Sequence, residues 1–347
     1  MRIISTFSAP GGLDYGLVKA GHDVVWAIDR DKDAAETYAK NVSPTITTED
    51  VRKVETGSIP DADAVVGGFP CLGFSIANLY RKIEDERNYL FLQLLRIVKA
   101  KKPKYVLMEN VPGILSLGKG QIVKEMLKLF EETGYDIYYE KLNSANFGVP
   151  EIRYRILFFG KRSDLNKRII PPKPTHCPEA IISPDGFVLK KWITVRQAIG
   201  DLPEPDHNIP NHQGTQYKVK INGYIGHRAT AWDKPSPTIT GRGSRTGGPV
   251  IIPHPNLHRR LTVRECARLQ SFPDDFIFCG AISAQYAQVG NAVPPLLAYH
   301  LGRSLCEVVG ETPRPFNSEE WKLPWLRCDT NAQATIGPDP AQTIRTR

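Results

Sequence analysis

The sequence lacks an apolar run of the roughly 18 residues that a membrane-spanning helix requires, so we expect no membrane span. Its first residues lead directly into a strand-like run without the pattern of a signal peptide, and we therefore expect a cytosolic protein. There is also no C-x-x-C pair among the six cysteines. Scattered cysteines argue against a zinc site and a disulfide framework, and they fit a reducing compartment. We expect no metal site.

A strong charge of either sign is also missing. The net charge is +8 and the isoelectric point is about 9.1, which is compatible with a polyanionic partner but does not require one. Of the 347 residues, 41% are hydrophobic and 24% are charged, as in an ordinary globular protein. That length suffices for two domains, or for one large domain with an insertion.

Residues 1–160 alternate short apolar runs with helical patterns. The apolar runs predict strands at 2–7, 22–28, 63–66, 105–109, 136–142 and 155–160. The helical patterns predict helices near 12–20, 31–40, 88–101 and 119–133. This alternation is typical of a doubly wound α/β fold with a mostly parallel sheet.

The texture of the sequence changes after Lys161. From about 185 to 257 it is polar and rich in glycine and proline, with only short strand-like pieces. We interpret this region as a small, irregular, mostly β second domain that is specialised for contacts. Helical patterns return at 262–270 and 294–309, and the residues from about 313 onward look like a loosely ordered tail.

A glycine pair follows the first predicted strand, in Phe7-Ser8-Ala9-Pro10-Gly11-Gly12. Gly11 and Gly12 would let the backbone turn tightly and approach a ligand at the start of a helix. Asp29 ends the second strand, where a carboxylate can hydrogen-bond a ribose diol. The pattern is not a full G-x-G-x-x-G, so it favours a nucleoside cofactor smaller than a dinucleotide. A tight turn and a surface aspartate explain the same residues equally well.

A cysteine lies on a loop shaped by glycine and proline, Gly67-Gly68-Phe69-Pro70-Cys71, at the carboxyl end of a strand. Ligands bind at such strand ends in open α/β sheets, so Cys71 could be a nucleophile. Glu109 ends the next strand, and Arg153 and Arg155 share a face by alternation. Taken singly, these residues could be a buried thiol, a helix cap and a solvated strand edge. Their common placement favours a catalytic cluster.

Ordered blocks along nearly the whole chain resemble the DNA (cytosine-5-)-methyltransferase family of bacterial restriction-modification systems. Two long blocks read RLTVRECARLQSFP from Arg260 and QVGNAVPP from Gln288, and the others are 7–13, 67–75, 109–111 and 149–155. The resemblance implies a Rossmann-like, S-adenosylmethionine-dependent methyltransferase sheet with a target-recognition domain. It implies transfer of a methyl group from S-adenosyl-L-methionine to carbon 5 of cytosine in DNA.

This chemistry explains the residue types. Carbon 5 of cytosine is a poor nucleophile, and a thiolate that adds at carbon 6 makes the ring enamine-like. An acid near ring nitrogen 3 can neutralise the charge that builds on the ring. By resemblance, Cys71 is the nucleophile, Glu109 contacts ring nitrogen 3, and Arg153 and Arg155 anchor the base and the catalytic loop. The sequence does not identify the base that removes the carbon-5 proton.

The same resemblance implies the cofactor contacts. Phe7 would pack on the cofactor, Asp29 would bind the ribose hydroxyls, and Asp50 and Val51 would lie near the adenine. The full implied set is Phe7, Gly11, Gly12, Asp29, Asp50, Val51, Pro70, Leu90 and Asn291.

The chain departs from the family pattern at a few positions. Ala9-Pro10 stand where glycine and a variable residue are usual, and Leu72 replaces a glutamine after the cysteine. Asn88 stands where glycine is usual, and Glu151 replaces a glutamine before the arginine pair. No departure falls on a predicted catalytic residue, so we expect activity to survive, at a rate that Leu72 could lower.

DNA recognition has to begin with access to the base. A cytosine inside a duplex must be flipped out, at a cost of a few kcal/mol. A loop at 75–87 would close over it. Arg242 and Arg245 are the best candidates for guanine contacts, although each could instead be a phosphate anchor. The implied DNA contacts are Ser75, Arg81, Arg87, Arg228, Thr240, Arg242 and Arg245.

We expect a catalytic, cofactor-binding domain of residues 1–180 and 285–347, with a tail at 313–347, and a target-recognition domain of residues 181–284. The expected partners are double-stranded DNA and a separate restriction endonuclease that acts on the same site. We expect a monomer in the bacterial cytoplasm, associated with the nucleoid.

Two alternatives stay open. One is the tRNA-acting branch of the family, which uses the same catalytic blocks; the polar region at 185–257 favours DNA over it. The other is a non-catalytic DNA-binding relative, and the intact Cys71, Glu109, Arg153 and Arg155 weigh against it.

Overall fold

A computed structural model describes residues 1–70, 90–183, 186–214, 230–241, 252–256 and 259–327. A seven-stranded sheet runs through it. Its strands are β1 (Arg2–Thr6), β2 (Asp23–Asp29), β3 (Ile46–Thr48), β4 (Ala64–Gly67), β5 (Tyr105–Asn110), β6 (Tyr135–Asn143) and β7 (Tyr154–Arg162).

The strand order is β3-β2-β1-β4-β5-β7-β6. Strands β1 to β5 pair in parallel, whereas β7 runs antiparallel to both β5 and β6. Every residue of β4 is buried, as expected for a strand that is covered on both faces. The expected α/β fold with a mostly parallel, Rossmann-like sheet is confirmed, and the predicted strand limits hold to within two residues.

The helices of the first half are α1 (Gly12–Ala20), α2 (Lys32–Asn41), α3 (Leu90–Lys101) and α4 (Gln121–Glu131). Each begins close to its predicted start. The α2 helix begins at Asp31, whose side chain accepts a hydrogen bond from the amide of Ala34 and so satisfies one free donor of the first turn.

The second half holds shorter elements. A small sheet contains β8 (His176–Cys177), β9 (Ile181–Ile182) and β10 (Val188–Lys191), and the helices are α5 (Val195–Ile199), α6 (Val263–Leu269), α7 (Ile282–Asn291), α8 (Pro295–Val309), α9 (Ser318–Trp321) and α10 (Pro324–Arg327). Thr194 and Thr262 each form a capping box, with Gln197 and Glu265 respectively. No helix within the described ranges is long and apolar enough to cross a membrane.

One buried cluster joins both sides of the expected domain boundary at 284. It contains Ile193, Leu261 and Phe272 on one side, and Tyr286 and Leu296 on the other. The buried packing is continuous across this boundary. The division into two domains therefore stays a prediction about which residues serve catalysis and which serve recognition.

The expectation of a loose tail from 313 is wrong for 318–327. Trp321, Leu323 and Trp325 are at most 4% exposed and belong to the same cluster. Proline and polar residues dominate the composition there. The prediction from composition therefore overlooked the two tryptophans that anchor the segment.

Candidate active site

The sheet reverses its strand order between β1 and β4, which lie side by side. Chains leave the sheet in opposite directions at such a switch point and open a crevice beyond the strand ends. The loop from Phe7 follows β1, and the loop through Phe69 and Pro70 follows β4. The two loops expected to hold the cofactor and the nucleophile therefore flank one crevice.

Glu109 and Arg155 form an ion pair at this edge of the sheet. Because β7 is antiparallel to β5, its first residues lie beside the end of β5, with Ile156 opposite Asn110. Arg155 Nε lies 2.6 Å from Glu109 Oε1, and the side chains are 9% and 12% exposed. The sequence predicted Glu109 and Arg155 near strand ends, and the pairing of β5 with β7 brings them into contact.

The Glu109 carboxylate also lies over the start of the cysteine loop. A Cβ atom placed on Gly68 would be only 3.0 Å from Glu109 Oε2, so a larger residue would crowd that oxygen. The ion pair with Arg155 holds the other oxygen. Glu109 is thus fixed beside the backbone that leads to Cys71.

Asn110 is a site residue that sequence reasoning missed. Its side-chain amide donates to the Phe69 carbonyl at 2.9 Å, two residues before Cys71, and its Oδ1 accepts from the Val111 amide. The side chain is buried. A polar residue directly after Glu109 at the end of an apolar strand was the available signal, because a buried polar group requires a partner.

Several predicted contacts fall outside the described residues. These are Cys71, Ser75, Arg81, Arg87, Arg228, Arg242 and Arg245. Thr240 is described and exposed.

Arg153 requires a correction. It was expected to anchor the base, but its side chain is completely buried. Its terminal nitrogens donate to the carbonyls of Ile239 at 2.6 Å, Gly290 at 2.7 Å and Ala292 at 3.0 Å. A guanidinium with these partners holds main chain rather than a base. The alternation along the strand predicted the strand face on which Arg153 lies. It could not show which distant carbonyls accept the hydrogen bonds of Arg153.

The loop after β1 has an unusual backbone. Phe7 and Ala9 have positive φ values of 54° and 50°, and Gly11 has a φ of 97°. Only the glycine adopts this region without strain. Asp29 braces the loop, because its Oδ2 accepts from the Ala9 amide at 2.8 Å and its Oδ1 from the Asp31 amide at 2.9 Å. Burial raises the pKa of Asp29.

Gly12 is also required for packing, which the sequence did not reveal. A Cβ atom at this position would overlap the Val293 carbonyl oxygen and lie 3.0 Å from Phe272 Cζ. Gly12 therefore lets the segment before α8 pack against the first turn of α1. Gly11, by contrast, provides the tight turn that the sequence predicted.

Asp50 is engaged by a neighbour. Its carboxylate pairs with the Arg52 guanidinium and caps the Arg52 amide, and Arg52 lowers the pKa of Asp50 to about 2. The expected contact of Asp50 with the adenine would compete with this pair. Val51 is buried, and its carbonyl accepts from Arg96 Nη2 at 2.8 Å.

The remaining predicted cofactor contacts have mixed exposure. Pro70 and Asn291 are exposed, and Leu90 is partly buried. Each oxygen of the Asp29 carboxylate keeps a lone pair beyond its backbone bond, which suits the paired hydroxyls of a ribose. Together with apolar Phe7 and Val51, these acceptor oxygens fit a nucleoside cofactor.

Comparison with known proteins places the chain among methyltransferases. A family model described as C-5 cytosine-specific DNA methylase matches residues 1–307. The chain is 35% identical to the Type II methyltransferase M.MthTI of Methanothermobacter thermautotrophicus, over 88% of this chain and 97% of that protein. It is also 35% identical to M.NgoFVII of Neisseria gonorrhoeae, over 89% of this chain and 87% of that one.

Solved structures share the fold. A DNA modification methyltransferase encoded within an E. coli prophage superposes with a TM-score of 0.65 at 25% identity, covering 90% of this chain and all (100%) of that one. The S. pombe Dnmt2 methyltransferase gives a TM-score of 0.64 at 21% identity, covering 89% of this chain and 99% of that one. The second likeness carries the fold alone.

Proposed function

The chain belongs to the C-5 cytosine-specific DNA methylase family, and we propose that it methylates a flipped-out cytosine of one short duplex sequence through a covalent adduct with Cys71. As a family member it is a DNA cytosine-5 methyltransferase that depends on S-adenosyl-L-methionine. The observation that carries the assignment of residues is the Glu109–Arg155 ion pair beside the Gly68–Pro70 backbone.

The proposed chemistry gives each side chain one task. The Cys71 thiolate adds to carbon 6 of the cytosine ring, and the displaced electron pair makes carbon 5 nucleophilic. Glu109 contacts ring nitrogen 3 and stabilises the charge that develops there. Once carbon 5 carries its new substituent, loss of the carbon-5 proton and cleavage of the bond between carbon 6 and sulfur restore the aromatic ring.

The neighbours of these groups hold them in place. Arg155 fixes one Glu109 oxygen, so the carboxylate presents a defined direction to the base. Asn110 fixes the Phe69 carbonyl, which lies near the end of the described part of the loop, two residues before Cys71. A carboxylate that is preorganised as Glu109 is needs little rearrangement at the moment of reaction.

S-adenosyl-L-methionine supplies an electrophilic methyl group when it is bound. Asp29 would accept from its ribose hydroxyls, Phe7 and Val51 would provide apolar surface, and Pro70, Leu90 and Asn291 would line the rest of the pocket. We assign no direct contact to Asp50, because Arg52 occupies its carboxylate.

The biological setting is part of the proposal. The names of the relatives are those of Type II methyltransferases, and we propose that a separate endonuclease acts on the same DNA site. We propose that the chain works as a monomer on DNA in the bacterial cytoplasm, at the nucleoid. Residues 181–284 would carry target recognition, and the remainder would carry catalysis.

The test is bisulfite sequencing of genomic DNA and of small RNA from cells that lack cytosine methylation of their own and express the protein. We expect full protection of one cytosine in one short DNA motif. Cys71→Ser should abolish protection while the purified variant still binds DNA, because the serine hydroxyl is a far weaker nucleophile. Glu109→Gln should lower the methylation rate by about 10²–10⁴-fold.

Other outcomes identify the alternatives. Protection confined to tRNA would assign the chain to the tRNA-acting branch. DNA binding by a folded wild-type protein with no methylation of either nucleic acid would indicate a non-catalytic relative. Normal methylation by Cys71→Ser would refute the covalent mechanism.

A further inference from the structure

Three chain segments meet at a buried junction behind the active site. They are residues 149–153 before β7, residues 236–241 of the second half, and residues 288–293 at the end of α7. Main-chain bonds join the first two segments, since the Ser236 amide donates to Pro150 O at 2.8 Å and the Ile152 amide donates to Ser236 O at 2.9 Å. The Thr238 hydroxyl adds a bond to Ile152 O at 2.7 Å.

Glu151 and Arg153 link this pair of segments to the third. Both side chains are 0% exposed. Glu151 Oε1 accepts from the Ile239 amide at 2.5 Å and lies 3.4 Å from Arg153 Nη1. Arg153 donates to the carbonyl of the same Ile239 and also to Gly290 and Ala292. One ion pair thus holds both main-chain polar groups of Ile239 and the carbonyls on either side of Asn291.

The backbones of two segments also touch directly. A Cβ atom on Gly290 would overlap the Gly241 amide nitrogen and lie 2.5 Å from Gly241 Cα. A Cβ atom on Gly241 would overlap Asn291 Oδ1 and lie 2.6 Å from Asn291 Cγ. Since there is no space between these atoms, a displacement of Gly241 must displace Asn291 as well.

We propose that Glu151 and Arg153 are positioning residues that couple recognition of the DNA target to binding of the cofactor. This inference rests on the proposed function, which places Asn291 in the cofactor pocket. The chain continues from Ile239 directly into the predicted DNA contacts at 240–245. DNA that holds this segment fixes Asn291, and by thermodynamic reciprocity a bound cofactor fixes the recognition segment.

The test measures binding rather than turnover. S-adenosylhomocysteine, which has no methyl group to transfer, is titrated calorimetrically into the full chain, alone and with a duplex that carries the site found by bisulfite sequencing. In the wild type the duplex should tighten binding within the usual allosteric range, about 5–150-fold. In Arg153→Lys the ratio should fall to about 1, because an ammonium group keeps the charge but cannot span three carbonyls.

Two variants of Glu151, the partner of Arg153, distinguish the effect of its hydrogen bond from the effect of its charge. Glu151→Gln retains an oxygen acceptor for the Ile239 amide and should keep most of the tightening. Glu151→Leu removes that acceptor and should lose the tightening. If Glu151 only filled volume, Glu151→Gln and Glu151→Leu should have the same effect.

Two further variants keep the test independent of folding defects. Gly241→Ala pushes on Asn291 from a partly exposed position and should reduce the ratio as Arg153→Lys does. Gly57→Ala is its matched control, because a Cβ atom there meets nothing within 4 Å. Arg264→Lys is the control for a buried arginine, since Arg264 also donates to main-chain carbonyls but touches no residue of the junction.

The outcomes are distinct. Unchanged ratios in Arg153→Lys and Gly241→Ala overturn the coupling, and so does an equal loss in Arg264→Lys. A wild type that methylates DNA but shows no tightening overturns the coupling alone. A wild type that methylates no DNA overturns the proposed function.

Discussion

Asp14 is a carboxyl group buried beneath the cofactor loop, in the first turn of α1. It is 0% exposed, and burial raises its pKa from 3.8 to about 6, although the neighbouring hydroxyls of Ser5 and Tyr38 oppose the shift. A carboxyl whose folded-state pKa is raised binds a proton more tightly in the folded chain than in the unfolded one. Its ionisation therefore weakens folding as the pH rises from about 4 to about 6.

Asp14→Asn should remove this pH dependence. A shift of this size corresponds to about 3 kcal/mol, so the variant should gain up to that amount over the wild type at neutral pH and almost none near pH 4. The measurement is the free energy of unfolding in urea for both proteins between about pH 4 and about pH 7. A difference that stays constant with pH would show that Asp14 does not titrate as proposed.

For single residues, the sequence predicts the position in the fold better than it predicts which groups the side chain contacts. Glu109 and Arg155 were predicted to belong to one cluster because both lie near predicted strand ends. Arg153 and Asp50 were assigned to ligands, yet their partners are Gly290 and Arg52. The carbonyls that Arg153 contacts lie 86 to 139 residues away and leave no pattern in the side chains, whereas the partner of Asp50 is only two residues away.

Helix α1 packs against α8, and this contact depends on Gly16. It brings residues 295–309 against the helix that follows the cofactor loop. A Cβ atom at this position would overlap Pro295 O and lie 2.5 Å from Ala298 Cβ and 2.6 Å from the Tyr299 amide nitrogen. The contacting atoms belong mostly to main chain, so no side-chain rotation can relieve them.

Gly16→Ala should therefore destabilise the protein. Overpacking typically costs ~1–3 kcal/mol, and the gain of about 1 kcal/mol that alanine has over glycine in a helix offsets only part of it. Urea unfolding should show a net loss of up to about 2 kcal/mol. Gly57→Ala, which meets no atom within 4 Å, should change stability by less than about 0.5 kcal/mol. Equal stability of Gly16→Ala and wild type would mean that the helices separate at no cost.

Elements were predictable where the local pattern was clear. The helical pattern of α3 and the apolar run of β4 predicted both elements, whereas β3, which has only three residues, and α7 were not predicted. The helical pattern at 262–270 was predicted, and α6 begins there, with a capping box of Thr262 and Glu265 at its start. Short elements depend on tertiary contacts that a local pattern does not contain.

At the scale of the whole molecule, the segment at 316–327 packs against the buried core. Trp321 packs edge-on against Tyr15 of α1 and Tyr299 of α8, with ring centroids 5.8 Å away in each case, and it stacks on Phe316. The Trp325 indole donates to the Gly148 carbonyl at 3.2 Å. The segment thus connects α1 and α8 to the loop before β7.

Trp321→Ala should weaken the entire fold rather than one helix. Replacing a fully buried tryptophan by alanine costs about 3–5 kcal/mol, because its contacts and transfer energy are lost and a cavity remains. Because Trp321 contacts both α1 and α8, the cofactor loop should lose rigidity with it, and the urea midpoint should fall. Phe187→Ala, at an aromatic ring that is 59% exposed, is the control and should change stability by less than about 0.5 kcal/mol. If Trp321→Ala unfolds at the wild-type midpoint, 316–327 is an accessory tail, and the core is complete without it.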